Sequence, residues 1–140
     1  MIYLQRILFV MLIIITTQVF SEDLYRPDTG DSDLDASLHQ INKKINKSRK
    51  TKFITTVSNE FQVQKEKVTE LFNHYEFTAA DVLMTLSVSD ITGQPVNIVS
   101  RAYYEHKVHG WKYVLQQLSI KQNSREFIQV KNDAKINFVK

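Results

Sequence analysis

Four features of this sequence have the residue types and spacing to do chemistry. His106 and His109 form an H-x-x-H pair, and two neutral imidazoles at that spacing can share a metal if a third ligand, here Glu105 or Glu76, comes near. Metal sites usually carry a fuller ligand set, so two solvated histidines in a loop are the simpler reading, and His39 and His74 stand alone. Asp81 and Asp90 are candidates for a carboxylate pair, which for acid–base work must reach one substrate together. Nine residues apart, they fall on opposite sides of a helix. Trp111, the single tryptophan, could stack on a base or a sugar; it also lies on an apolar stripe, where a large aromatic is ordinarily a core residue. The fourth feature is Lys43, Lys44, Lys47, Arg49, Lys50 and Lys52, six bases in ten residues without an acid. Such a run can bind an anionic lipid, a cell-surface polymer or nucleic acid with a steep dependence on salt. The simpler alternative is a solvated linker, its charge partly cancelled by the acidic stretch before it.

Other chemistries lack local support. The three glycines, at 30, 93 and 110, are too scattered for a dinucleotide fingerprint, a phosphate-binding loop or a nucleophile elbow. The absence of Cys excludes disulfides, zinc knuckles and thiol nucleophiles. No catalytic, cofactor-binding or metal-ligating residue is therefore assigned, and no cofactor is expected.

The elements that must position these residues are helical. Phe53, Ile54, Val57 and Phe61 make one stripe, and Val68, Leu71, Phe72 and Tyr75 a second. Thr78 to Thr92 carries apolar residues on two sides, including Leu83 and Leu86, and reads as the central helix. Val96, Val99, Ala102 and Tyr103 form the fourth stripe, and Val108, Trp111, Val114, Leu115 and Leu118 the fifth. Thr78 and Asp81 are spaced as a capping box with Phe77 and Val82 as its staple; Gly93 suits the end of that helix and Pro95 the start of the next. Leu34, Leu38, Ile41 and Ile45 predict a helix over about 34 to 48, weakened by Asn42, Asn46 and Ser48. The tail from Phe127 to Phe138 alternates like two short strands around Asn132 and Asp133, predicting a hairpin or a frayed end. A helix-turn-helix is rejected, because the would-be recognition helix Thr78 to Thr92 has no Lys, Arg, Asn or Gln.

The first 21 residues read as an address. Arg6 precedes the unbroken apolar run Ile7 to Ile15, and Val19 and Ser21 fit a signal-peptidase site before Glu22. The stretch from Ile7 to Phe20 falls short of the roughly 20 residues needed to span a bilayer. The expected organisation is a signal peptide over 1–21, an acidic flexible arm over 22–33, a basic amphipathic helix or linker over 34–52, a helical bundle over 53–127, and a tail over 128–140. The fold class is all-α, a compact bundle of about five short helices. Its core includes Phe61, Leu71, Phe72, Leu83, Leu86, Trp111, Leu115 and Leu118.

From about Phe53 to Phe127 this order resembles a group of small exported bacterial proteins of unknown function. In that group a V-x-x-x-x-V helix, a central aliphatic helix ending in Gly with P-V behind it, and a closing helix starting Gly-Trp follow one another. The matching stretches are FQVQKEKVTELF, AADVLMTLSVSDITGQPVNIV and HGWKYVLQQLSIKQNSREF. Lys112 stands where the group usually has Gly, Ser119 fills the Gly position before Ile120, and Tyr75-Glu76 replaces a Gly-containing turn. The resemblance implies a helical fold and carries over no catalytic residue. The expectation is an exported, non-enzymatic helical module, periplasmic or extracellular, that contacts a protein or an anionic envelope surface and no nucleic acid. The alternative is a small helical ligand carrier, or an enzyme without a recognisable motif.

Overall fold

The computed structural model describes residues 24–138, so the expected leader lies outside the described residues. Among the described residues seven α-helices follow one another: α1 (Ser32–Lys44), α2 (Lys50–Phe61), α3 (Lys65–Asn73), α4 (Ala79–Thr92), α5 (Val96–Glu105), α6 (Gly110–Gln117) and α7 (Arg125–Asp133), with a 3-10 turn over Lys107–His109. The protein is an all-α bundle built around α4, which packs against α1, α2, α3, α5 and α7.

The central position of α4 follows from its sequence. It begins with a complete capping box, in which Thr78 accepts from the Asp81 N–H and the Asp81 side chain accepts from the Thr78 N–H, and Gly93 ends it in the left-handed conformation. Every residue from Ala79 to Val88 is buried, so the helix is enclosed on all sides, and its polar residues Asp81, Thr85 and Ser87 are buried with hydrogen-bond partners. Phe53, Val57, Leu71, Val99, Trp111, Leu115 and Phe127 close over it.

The basic stretch does not form one helix. After α1 ends, Asn46 Oδ1 accepts from the Ser48 hydroxyl at 2.7 Å and from the Arg49 N–H at 3.2 Å. This local bonding competes with helix hydrogen bonds and turns the chain into α2. The bundle therefore starts at α1, and it has seven helices where about five were expected.

Two terminal segments also differ from expectation. The C-terminal hairpin is replaced by α7, whose first turn is capped by Ser124 accepting from the Phe127 N–H at 3.1 Å. Phe127, Val130 and Ala134 are buried while Ile128 is half exposed, which is a helical spacing; the apparent alternation came from counting Ile128 as a core residue. The described part of the acidic arm, residues 24–31, lies extended across the bundle as a strap. Its Pro27 and Asp28 carbonyls accept the backbone N–H groups of Trp111 and Lys112, both at 2.8 Å. The Thr29 carbonyl accepts from Gln122 Nε2 at 2.9 Å, and Asp31 caps α1. Gly110, at φ +70°, permits this contact, because a Cβ there would stand 2.5 Å from the Asp28 Cβ and 3.0 Å from the Pro27 carbonyl oxygen.

Candidate functional site

Beneath the strap lies a buried carboxylate. Asp81 is completely enclosed; its Oδ1 accepts from the Tyr25 hydroxyl and from the Trp111 indole N–H, each at 3.0 Å, and its Oδ2 from the Thr78 hydroxyl at 3.1 Å. Tyr103 stacks on Trp111 with ring centroids 4.0 Å apart and planes 8° from parallel. Burial first, then the Asp81 charge, push the Tyr25 and Tyr103 phenols far above their usual range, which keeps both protonated as donors. The cluster ties the strap, α4 and α6 together. Its carboxylate is filled with intramolecular donors, and one face of the indole is covered by Tyr103. Asp90 is exposed at the far end of α4 and takes no part.

The histidines are flanked by aromatic rings. His106 and His109 lie with ring centroids 6.4 Å apart, and Tyr113 stands 4.6 Å from the first and 5.3 Å from the second. Among the described residues no group of three His, Cys, Asp or Glu side chains is placed to hold a metal. His39 meets the edge of the Tyr25 ring, and His74 lies edge-on to Tyr75. Of the expected core set, Phe61, Leu71, Leu83, Leu86, Trp111 and Leu115 are buried, while Phe72 and Leu118 are half-buried against the core.

The six cations come together at one joint. Lys43 and Lys44 are in the last turn of α1, Lys47 and Arg49 in the turn that follows, and Lys50 and Lys52 in the first turn of α2. All are exposed except Lys50, which is half-buried. Among the described residues none of them forms an ion pair with a carboxylate. The acids that precede them in sequence are engaged elsewhere: Asp31 and Asp33 face Lys131 at 2.9 and 3.8 Å, and Asp35 accepts from the Thr29 N–H and hydroxyl. Those groups sit at the opposite end of α1, about 15–20 Å away at 1.5 Å per residue. Lys43 and Lys44 suit the negative end of α1, whereas Lys50 and Lys52 crowd the positive end of α2, which has no acid in its first turn and no side-chain cap.

Beside this joint, a cleft of about 400 Å³ opens towards the facing ends of α3 and α4, lined among others by Asn42, Ile45, Lys47, Lys50 and Phe72. Lys50 Nζ is held 4.4 Å from the centroid of the Phe72 ring. Asn42 Oδ1 accepts from the Ala80 N–H at 2.8 Å, which fixes the orientation of the amide, and its Nδ2 is buried without a hydrogen-bond partner. Leaving such a donor unmatched costs about 1–3 kcal/mol. Sequence reasoning missed Asn42 and Tyr25. The available signal for Asn42 was its position four residues after Leu38, at the edge of the α1 stripe.

Compared with models of protein families, with curated proteins and with solved structures, the chain has no significant match.

Proposed function

We propose that this protein is an exported, non-enzymatic helical module that attaches to an anionic macromolecule or envelope surface through the joint between α1 and α2. The observation that supports the reading is the unpaired state of Lys43, Lys44, Lys47, Arg49, Lys50 and Lys52 among the described residues, with the neighbouring acids turned to Lys131 and Thr29. Like charges gathered at one joint, with Lys50 and Lys52 at the adverse end of α2, raise the energy of the free protein, and an anionic partner relieves it. The interior supports the same reading, since the central helix is enclosed by apolar side chains and its buried carboxylate is already satisfied. Binding of the protein to heparin and to phosphatidylglycerol vesicles at low salt, abolished by high salt and by Lys43→Gln, Lys44→Gln, Lys47→Gln and Lys50→Gln together, is the expected result. No binding to either at low salt would remove the reading.

A second reading, a ligand carrier, draws on a different cleft. About 480 Å³ lie between the strap and the 3-10 turn, lined among others by Leu24, Arg26, Tyr103, Lys107 and Val108. Leu24 and Val108 are 70% and 89% exposed and stand beside Arg26, Lys107 and the single acid Asp28, a net positive lining that suits a small amphipathic anion. Saturable binding of such a probe, lost in Val108→Asp, would favour this reading over the first.

A further inference from the structure

We propose that the cleft beside the α1–α2 joint seats one anionic phospholipid headgroup, so that the surface met by the basic segment is a lipid bilayer. This deepens, and rests on, the attachment reading above. Two observations meet in the cleft. Lys47 and Lys50 stand on its lining, and Lys50 is steadied over the Phe72 ring, so the positive charge is held at the cleft and not merely spread over the surface. Asn42 stands on the same wall, and its Oδ1 accepts from the Ala80 N–H at 2.8 Å, which fixes the wall to the start of α4. The wall itself is predominantly apolar, with Ile45, Phe72 and the Tyr25 ring supplying much of it.

That combination separates a lipid from a soluble polyanion. A polysaccharide or nucleic acid meets lysines along a polar track, and burying its polar backbone against Ile45 and Phe72 would cost desolvation without return. A phospholipid presents a phosphate joined to glycerol and methylene groups, whose burial on such a wall is favourable. The phosphate then faces Lys47 and Lys50, while Lys43, Lys44 and Lys52 lie over neighbouring headgroups.

The experiment uses the protein as its native host processes it, with five probes: phosphatidylcholine vesicles, phosphatidylcholine vesicles containing phosphatidylglycerol, monomeric short-chain phosphatidylglycerol below its micelle concentration, glycerol phosphate, and heparin. Binding is expected to the second and third; neutral vesicles should show none, and glycerol phosphate should bind at least about tenfold more weakly than the short-chain lipid. In amide NMR spectra the short-chain lipid should shift Asn42, Ile45 and Phe72. Lys47→Gln with Lys50→Gln should abolish short-chain lipid binding, whereas Lys43→Gln with Lys44→Gln, an equal loss of charge outside the cleft, should leave it intact. Equal losses from the two pairs would overturn the cleft while leaving electrostatic attachment standing. Binding to heparin but not to phosphatidylglycerol would overturn the lipid while leaving the attachment reading, and binding to neither would sink both.

Discussion

The indole N–H of Trp111 and the hydroxyl of Tyr25 converge on one oxygen of Asp81, each at 3.0 Å, from positions 30 and 56 residues away in sequence. A single enclosed carboxylate thereby fixes where α6 and the strap lie on the central helix. Truncating a buried Trp costs about 3–5 kcal/mol, a large share of the roughly 5–15 kcal/mol that holds a domain together. Trp111→Ala should therefore unfold the protein or bring it close to unfolding, read by urea denaturation. Trp111→Phe keeps most of the ring packing but deprives Asp81 of a donor, and should cost about 1–3 kcal/mol. A Trp111→Ala protein that melts like its parent would show that the indole is not a core group.

Alkaline pH should attack the same cluster. Tyr25 and Tyr103 ionise in the unfolded chain near 10.0 but are held far above that when folded, by burial and then by the Asp81 charge. The unfolded state thus loses protons that the folded state retains, and stability falls as pH rises through about 10. Tyrosinate absorbance should appear together with the loss of helical circular dichroism. Tyr25→Phe should soften this dependence; ionisation of all tyrosines without loss of helix would contradict it.

At acid pH the strap's far end should loosen first. Burial alone would raise the Asp31 carboxyl, but the Leu34 N–H, the Lys131 ammonium and the Asp33 N–H together bring it below the ordinary 3.8. With the folded value depressed, its contribution is complete above the unfolded 3.8 and is lost as the pH falls from there through the folded value. The protection factor of the Leu34 amide, measured against its intrinsic exchange rate, should fall below pH 3.8, and Asp31→Ala should lower it at neutral pH. Protection unchanged on acidification would show that the cap does not hold α1.

Ser119 and Glu76 both adopt left-handed backbone, at φ +60° and +53°. A non-glycine residue there costs about 1–2 kcal/mol, partly offset in a glycine variant by the greater freedom of the unfolded chain. Ser119→Gly and Glu76→Gly should each stabilise the bundle by about 0.5–1 kcal/mol in thermal melts. The reverse holds for Gly110→Ala, which must displace the strap and should accelerate exchange of the Trp111 and Lys112 amides. A Gly110→Ala variant with unchanged exchange would mean that the Asp28 contact is dispensable.

Much of the bundle was legible because its signals are local. Thr78 with Asp81, the glycine at 93 and the proline at 95 mark boundaries by chemistry that acts within one turn. The strap was not legible: Pro27 and Asp28 are held through their carbonyls by a helix more than eighty residues away, and backbone groups leave no trace in side-chain patterns. An acidic, glycine- and proline-containing stretch reads as mobile because composition carries no record of such partners. The same limit hid Asn42, whose importance lies in the Ala80 N–H it meets and in the donor it leaves over. The basic segment was visible as a run of charge, but its unpaired state depends on where Asp31, Asp33 and Asp35 turn.

Lys131 and Asp31, joined at 2.9 Å across 100 positions, set the order in which the molecule can be completed. A chain that becomes available from its N-terminal end can form α1 to α5 early, yet the side of α4 that carries Ser87 stays uncovered until α7 arrives with Asp133, which accepts the Ser87 hydroxyl at 2.6 Å. Closure at such separation is slow compared with local helix pairing, and until it occurs the central helix is exposed to other unfolded chains. Loss of the last fifteen or so residues would leave that exposure permanent, turning a small helical domain into one that needs a chaperone or a partner to cover it.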